Sequence, residues 1–237
     1  MRRVVSYPDA QAVADATAAR LLTVVADTLS QRPRVDVVLT GGTVGIKTLA
    51  SIAASPLAGS IDWTAVHLWW GDERFVTSGD PDRNEGQAQG AALGALPIPE
   101  HNIHRMGAAD RYATVEDAAH AYSDEIEREG SPEWDIVLLG IGPDGHVASL
   151  FPGHSAFGDS SALALAVHDS PKPPPTRVTL SLQTINRAHR VWVVAAGADK
   201  ADAVRHCLAM TGDYPAGAVR GTDETLVLVD VAAIATG

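Results

Sequence analysis

An aspartate and a histidine two residues apart, Asp144 and His146, occur in a glycine-rich segment that reads GIGPDGHVASLFPG. An imidazole with an ordinary pKa near 6.5 can take a proton from water at neutral pH, which suits it to acid/base chemistry. The glycines Gly140, Gly142 and Gly145 also match the G-x-G-x-x-G pattern of a dinucleotide-binding turn. The segment therefore has two interpretations, an acid/base site and a dinucleotide site.

The residues around these glycines favour the acid/base interpretation. A dinucleotide turn leads into a full helix whose N-terminus binds the pyrophosphate. Asp144 would bring a negative charge against that pyrophosphate. Pro152 and Gly153 also end the segment HVASLF after less than about two helical turns. We therefore interpret the glycines as giving backbone freedom beside a positioned acid/base pair.

The elements around this segment follow the pattern of a mostly parallel sheet, in which short β-branched runs alternate with longer alanine-rich segments. Strands are predicted at 35–40, 65–70, 134–139, 191–196 and 226–229, and helices at 9–30, 43–54, 114–129 and 199–210. Polar turns that contain glycine follow four of these strands, with the sequences GGT, GDER, GIGPDGH and GADK. Because open α/β sheets bind ligands at the carboxyl ends of their strands, we expect the four turns to share one site.

Length and composition are those of a globular α/β protein, and we expect a single domain over residues 1–237. The net charge of −11 argues against a nucleic-acid or anionic membrane partner. A single cysteine, Cys207, excludes a disulfide within the chain and is typical of a reducing compartment. The N-terminal residues lack the apolar stretch of a signal peptide, and no window reaches the length of a membrane span. We expect a cytoplasmic protein with no obligate protein partner.

Five motifs occur in an order that resembles the glucosamine-6-phosphate deaminase/6-phosphogluconolactonase family, on its lactonase branch. They are LTGGT, GDERFVTSGDPDRNEG, LLGIGPDGHVASLFPG, PPPTRVTLSLQTIN and GADKADAV, and they span most of the chain. The resemblance implies a Rossmann-like α/β fold, with a mostly parallel sheet flanked by helices and a smaller second lobe. It also implies hydrolysis of 6-phosphoglucono-δ-lactone in the pentose phosphate pathway without a cofactor. Where the family loop usually reads GGSTP, this chain has Gly45 in place of the proline.

The resemblance also implies roles for the polar residues at matching positions. His146 is implied as the general base. Arg74 is implied to stabilise the charge that develops on the carbonyl oxygen, and Asp72 to orient Arg74 or a substrate hydroxyl. Asn84 is carried over as a sugar contact. Asp72 and Asp144 both remain possible partners of the general base.

Substrate binding is predicted at the loop after the first predicted strand. Gly41, Gly42 and Thr43 begin a predicted helix, so their backbone N–H groups can bind a phosphate. The alternative is an ordinary helix start with Thr43 as N-cap. The resemblance adds Arg177 and Lys200 as the cations that close over the 6-phosphate, although each alone is also compatible with an ordinary surface charge.

Two alternative functions are distinguished from the lactonase by single residues or by an additional segment. The deaminase branch has a glutamate five residues past the histidine and a tyrosine after its Asp-Glu pair, where this chain has Phe151 and Arg74. A phosphosugar-binding regulator on the same fold carries an N-terminal DNA-binding module, and we expect none before the first predicted helix.

Two further segments are predicted to be structural. His101 and His104 lie three residues apart, but no cysteine or carboxylate cluster joins them in sequence. Since a zinc site needs three or four ligands, we expect a loop of the fold there and no metal. The proline-rich segment SPKPPPTR, 170–177, is predicted to be an extended rigid spacer.

Overall fold

A six-stranded parallel sheet forms the centre of the protein, whose computed structural model describes residues 2–158 and 160–235. In chain order the strands of the protein are β1 (Arg2–Tyr7), β2 (Val35–Leu39), β3 (Val66–Trp70), β4 (Asp72–Arg74), β5 (Ile136–Gly140), β6 (Ala164–Val167), β7 (Arg177–Leu180), β8 (Arg190–Ala195) and β9 (Glu224–Asp230). The large sheet has the order β1-β9-β8-β5-β2-β3, and every neighbouring pair in it is parallel.

The interior strands of this sheet are largely apolar and are buried on both faces, as expected where helices cover both sides. Every residue of β2 is buried, and so is all of β8 apart from its first residue. The five strands predicted from β-branched runs are therefore confirmed, with ends that differ by up to two residues. The sequence did not predict β1, because this edge strand begins with two arginines and alternates between exposed and half-buried positions.

Seven α-helices connect and flank the strands in the described residues. They are α1 (Ala10–Leu29), α2 (Gly42–Ala54), α3 (Asn84–Ala88), α4 (Val115–Arg128), α5 (Leu182–Ile185), α6 (Ala201–Ala209) and α7 (Pro215–Ala218). The two longest, α1 and α4, begin at side chains that accept a hydrogen bond from the first turn. Asp9 accepts from the Ala12 N–H at 2.8 Å, and Thr114 accepts from the Asp117 N–H at 3.1 Å. The predicted helix at 199–210 is shorter than expected, because a 3₁₀ turn at Ala198–Lys200 precedes α6.

A second, antiparallel sheet has the order β4-β7-β6. It begins one residue after the edge strand β3, and the main chain of Gly71 joins the two sheets by accepting a hydrogen bond from the Leu180 N–H at 2.9 Å. This sheet forms the smaller second lobe that the resemblance implies, and the fold class is confirmed. It also carries Asp72, Arg74 and Arg177 to the edge of the large sheet.

Residues 1, 159, 236 and 237 lie outside the described part of the chain, and a single domain over 1–237 stays a prediction. Among the residues that the structure describes, no helix combines the length and apolar character needed to cross a membrane.

Candidate active site

The four glycine-containing turns line one cleft of about 620 Å³ at the carboxyl ends of β2, β3, β5 and β8. The cleft is lined by nine of the predicted site residues: Gly41, Gly42, Thr43, Asp72, Arg74, Asn84, His146, Arg177 and Lys200. The tenth, Asp144, forms a hydrogen bond with His146. The structure therefore brings all ten together, as the parallel-sheet argument predicts, while their individual roles stay predictions.

A tight turn after β5 holds His146 against Asp144. The Gly145 N–H donates to the Gly142 carbonyl at 2.9 Å, and the Gly142 N–H donates to the His146 carbonyl at 2.9 Å. A Cβ at Gly142 would lie 2.0 Å from Nδ1 of His146, so only glycine fits there. Gly145 has a φ of +81°, in the left-handed region that favours glycine. The sequence GxGPDGH thus folds locally into a support for the imidazole.

The partner of His146 is Asp144 and not Asp72. Nδ1 of His146 lies 2.5 Å from Oδ1 of Asp144. Because a carboxylate only accepts hydrogen bonds, Nδ1 carries the proton, and Nε2 of the neutral ring keeps its lone pair. The geometry therefore leaves Nε2 free to accept a proton.

Groups around the imidazole shift the pKa of His146 in opposite directions. Burial lowers the pKa of His146 below its ordinary value, the hydrogen bond to Asp144 opposes that effect, and the charge of Lys172 adds to it. Burial raises the pKa of Asp144, but the hydrogen bond from His146 and the charge of Lys172 outweigh it and hold this pKa below its usual range. His146 is thus neutral and Asp144 ionised at neutral pH.

The segment after Gly145 forms turns and an isolated bridge between Val147 and Leu150, with no helix. The dinucleotide interpretation needs a full helix there, and the structure contradicts it. Phe151, which ends this segment, is buried with its ring centroid 4.6 Å from that of His146. The position of the deaminase glutamate thus holds an apolar side chain that packs against His146.

Arg74 is held by an amide and not by the carboxylates beside it in sequence. Its Nη1 donates to Oδ1 of Asn84, and to the Asp82 carbonyl at 3.2 Å. The Asn84 amide in turn donates to the main-chain carbonyl of Asp72 at 2.8 Å. Nε of Arg74 is buried and has no partner among the residues described. Among the described residues, Arg74 therefore forms an ion pair with neither Asp72 nor Glu73, and its Nε keeps an unsatisfied hydrogen.

Glu73 organises the same region, and sequence reasoning missed it. Its carboxylate accepts hydrogen bonds from the backbone N–H groups of Arg74 at 2.8 Å, Asn84 at 2.8 Å and Glu85 at 2.9 Å. Burial raises the pKa of Glu73, against the opposing charge of Arg83 and these N–H groups. The carboxylate of the GDER motif thus fixes the backbone on both sides of the Arg74–Asn84 contact.

The side chain of Asp72 orients neither Arg74 nor His146. Its Oδ2 accepts from Oγ of Ser149 at 2.6 Å and faces Nη1 of Arg177 at 3.8 Å. The predicted orientation of Arg74 by the Asp72 carboxylate is therefore wrong, because Asn84 occupies that position. Its contact with a substrate hydroxyl stays a prediction.

Arg177 folds the proline-rich segment over the cleft. Its Nε donates to the Pro174 carbonyl at 3.0 Å, and its Nη2 donates to the carbonyls of Lys172 at 2.9 Å and Pro173 at 3.1 Å. Nζ of Lys172 consequently lies 3.5 Å from both Oδ1 of Asp144 and Nδ1 of His146. The prediction of a rigid spacer at 170–177 overlooked Lys172. The sequence indicated this residue only as a cation directly before the PPPTR motif.

The N-terminus of α2 opens into the cleft. Its N-cap is Gly41, which makes no side-chain capping hydrogen bond, so the alternative of Thr43 as N-cap is wrong. A Cβ at Gly45 would lie 2.6 Å from the carbonyl oxygen of Thr40, which explains why no larger residue stands there. Lys200 lines the same cleft and pairs with Asp199 at 3.2 Å. Backbone N–H groups and a cation thus converge on one region, although the whole chain is acidic.

Together, the sheet, the open helix N-terminus and the His146–Asp144 pair define an α/β protein with an acid/base group beside a candidate anion site. A profile described as glucosamine-6-phosphate isomerases/6-phosphogluconolactonase matches residues 8–228. The chain belongs to this family.

Relatives of known sequence and structure agree with that assignment. The chain is 45% identical to the 6-phosphogluconolactonase of Streptomyces coelicolor, over 98% of this chain and 93% of that protein. It is 39% identical to the one from Mycobacterium tuberculosis, over 94% of each chain. Solved 6-phosphogluconolactonases from Thermotoga maritima and Trypanosoma brucei superpose with TM-scores of 0.86 and 0.85, at 26% identity each. The first alignment covers 97% of this chain and 100% of the other, and the second covers 98% and 97%.

Two substitutions should move the pKa of His146 in opposite directions. Asp144→Asn removes the contact that raises this pKa, so the pKa should fall. Lys172→Met removes a charge that lowers it, so the pKa should rise. The measurement is a proton NMR titration of the His146 ring, whose resonance is identified by its loss in His146→Gln. Shifts of the same sign in both variants would contradict this electrostatic description.

Proposed function

We propose that the protein hydrolyses 6-phospho-D-glucono-1,5-lactone to 6-phospho-D-gluconate, a step of the pentose phosphate pathway, without a cofactor. The observation that carries the proposal is the neutral imidazole of His146, with its Nε2 free and its Nδ1 bound to Asp144 at 2.5 Å. Relatives named 6-phosphogluconolactonase, aligned over nearly the whole chain, support the choice of substrate. We also propose a cytoplasmic location, which the single and buried cysteine supports.

In this proposal, His146 activates the attacking water. Nε2 takes one proton from water while the oxygen of that water forms a bond to the lactone carbon C1. Asp144 keeps the proton of the ring on Nδ1 and stabilises the imidazolium that results. The imidazole needs no rearrangement for this step, because the turn already holds it in the required tautomer.

Arg74 is proposed to stabilise the oxyanion that forms when water adds to C1. Arg74 lines the same cleft as His146, and a guanidinium N–H is a strong donor to a negative oxygen. The tetrahedral intermediate then collapses, and the bond between C1 and the ring oxygen breaks. The imidazolium of His146 returns its proton to that ring oxygen, which becomes a hydroxyl group, while C1 becomes a carboxyl group that ionises.

Phosphate binding is proposed at the N-terminus of α2, with Lys200 as counter-charge. The backbone N–H groups after Gly41 have no capping side chain, and a helix N-terminus attracts anions. Asn84 is bound to Arg74 and to the main chain of Asp72, which makes it a support of the site in addition to its expected sugar contact. Anchoring the phosphate positions the ring for attack and makes no bond itself.

The deaminase alternative lacks a group that its chemistry requires. Phe151 occupies the position of the deaminase glutamate, and it is buried against His146 with no titratable atom. A regulator without catalytic activity would bind a phosphosugar and leave the lactone intact. Turnover measured on the purified protein separates that alternative from the proposed hydrolase.

The first test compares the hydrolysis of lactones with and without the phosphate. The reaction is monitored by the release of protons. Glucono-1,5-lactone should have a kcat/KM lower by about two orders of magnitude or more, since two charge-assisted hydrogen bonds contribute about 3 kcal/mol. Lys200→Met should reduce kcat/KM for the phosphorylated lactone only. Lys47→Met, which removes a cation outside the cleft, is the control and should behave like the wild type. Equal kcat/KM for both lactones would contradict the phosphate site.

The second test separates catalysis by His146 from binding. His146→Gln keeps a polar side chain without proton affinity, so kcat should fall by about 10²- to 10⁴-fold after subtraction of spontaneous hydrolysis. The product 6-phosphogluconate should still raise the melting temperature of the variant, because phosphate binding lies elsewhere in the cleft. His120→Gln, at an exposed position of α4, is the matched control. Turnover near that of the wild type would refute the general-base role.

A further inference from the structure

A second cluster of imidazoles and carboxylates lies away from the cleft, where β3, the loop after Glu100–Asn102 and the end of α4 meet. Nδ1 of His67 lies 2.9 Å from Nε2 of His104. Potential ligand atoms of His67, His104 and Glu129 lie within 4.8 Å of one another. Nothing in the proposed hydrolysis uses these residues.

The first argument is that His104 is oriented as metal-bound histidines usually are. Its Nδ1 lies 2.7 Å from Oε1 of Glu125, so this nitrogen carries the proton and Nε2 presents its lone pair to His67. The ring is 2% exposed and stacks on Trp69 with a centroid distance of 3.7 Å. A carboxylate behind the imidazole and an aromatic ring beside it thus fix the direction of Nε2.

The second argument is the charge of the cluster. Its carboxylates belong to Asp36, Glu125 and Glu129, and its one guanidinium, on Arg34, pairs with Asp36 and Glu129 at 2.7 and 2.8 Å. With neutral imidazoles the cluster therefore carries a net charge of −2. A divalent cation would neutralise that excess.

The third argument is the accessibility of the cluster. Glu129 is 29% exposed, so an ion can reach the cluster from solvent.

We propose that His67, His104 and Glu129 bind a divalent transition-metal ion, with Zn²⁺ as the best match, at a site separate from the catalytic cleft. Two imidazoles and a carboxylate are a usual Zn²⁺ donor set, completed by water. Tetrahedral bonds of about 2.0–2.1 Å to nitrogen require the two facing nitrogens to lie roughly 3.3 Å apart. Their present distance of 2.9 Å must therefore increase slightly, and the rings must turn so that both nitrogens point at the ion.

The protons balance within the cluster. Without the ion, the proton between the two rings belongs to Nδ1 of His67, because Nε2 of His104 accepts it. When the ion binds, that proton moves through solvent to Nε2 of His67, and both facing nitrogens become ligands. The bound ion would join β3, the loop and α4, and thereby stabilise the edge of the large sheet that continues into Asp72–Arg74.

The sequence predicted no metal here, because the spacing of His101 and His104 was the only candidate that it offered. His101, three residues before His104, is exposed and outside the cluster. The second imidazole instead comes from His67, and the carboxylates come from α4 and the residue that ends it. Only the fold joins these positions.

In the test, Zn²⁺ alone is titrated into EDTA-treated protein. Calorimetry measures the binding, and the melting temperature measures the stabilisation. The wild type should bind one ion per chain and melt at a higher temperature with it. His67→Gln and Glu129→Gln, both at partly exposed positions, should lose this binding. Glu125→Gln should weaken it by about 10- to 100-fold. His101→Gln and His146→Gln are the controls and should titrate like the wild type.

Co²⁺ provides a second measurement that does not depend on stability. The wild type should develop the intense visible bands of tetrahedral Co²⁺, and His67→Gln and Glu129→Gln should not, provided that their melting temperatures without metal show a folded protein. Absence of Zn²⁺ binding by the wild type would overturn the proposal. Identical titrations of His67→Gln and wild type would also overturn it, as would loss of binding in His146→Gln, which would place the ion in the catalytic cleft. Because no outcome depends on lactone turnover, failure here leaves the proposed hydrolase untouched.

Discussion

The hydrogen bond between His146 and Asp144 is the constraint on which the rest of the site depends. It requires a turn tight enough to bring residues two apart into contact, and that turn tolerates no Cβ at Gly142. The buried strand β5 places this turn at the carboxyl edge of the sheet. Loss of the bond would leave the imidazole free to rotate and to change tautomer, even if every other residue stayed in place.

The remaining polar groups keep this pair in a defined electrostatic environment. Arg177 holds the proline-rich segment, the segment places Lys172 beside Asp144, and Lys172 offsets part of the proton affinity that Asp144 gives to His146. Glu73 fixes the backbone around Arg74 from the other side. The buried carboxylate of Glu73 thus has backbone donors, and the buried guanidinium of Arg177 faces the carboxylate of Asp72, as burial requires.

The sequence predicted the parts of the fold that repeat a simple pattern. The interior strands are largely apolar runs, and the turns after them contain glycine and polar residues, so both the sheet and the shared site could be predicted. The edge strand β1 and the short second sheet lack such a pattern, because their residues are partly exposed or few. Lys172, Glu73 and the pairing of His67 with His104 depend on contacts between distant segments, which no local spacing reveals.

The dependence of kcat on pH tests the His146–Asp144 account most directly. In the wild type, kcat should fall as the pH drops through the pKa of His146, because the protonated ring cannot accept a proton from water. Asp144 raises this pKa, so in Asp144→Asn the same decline should occur at lower pH. The maximal kcat that this variant reaches at higher pH should also be lower than that of the wild type. The rate without enzyme must be subtracted at every pH. A wild-type kcat without this decline, or a decline at the same pH in both proteins, would contradict the account.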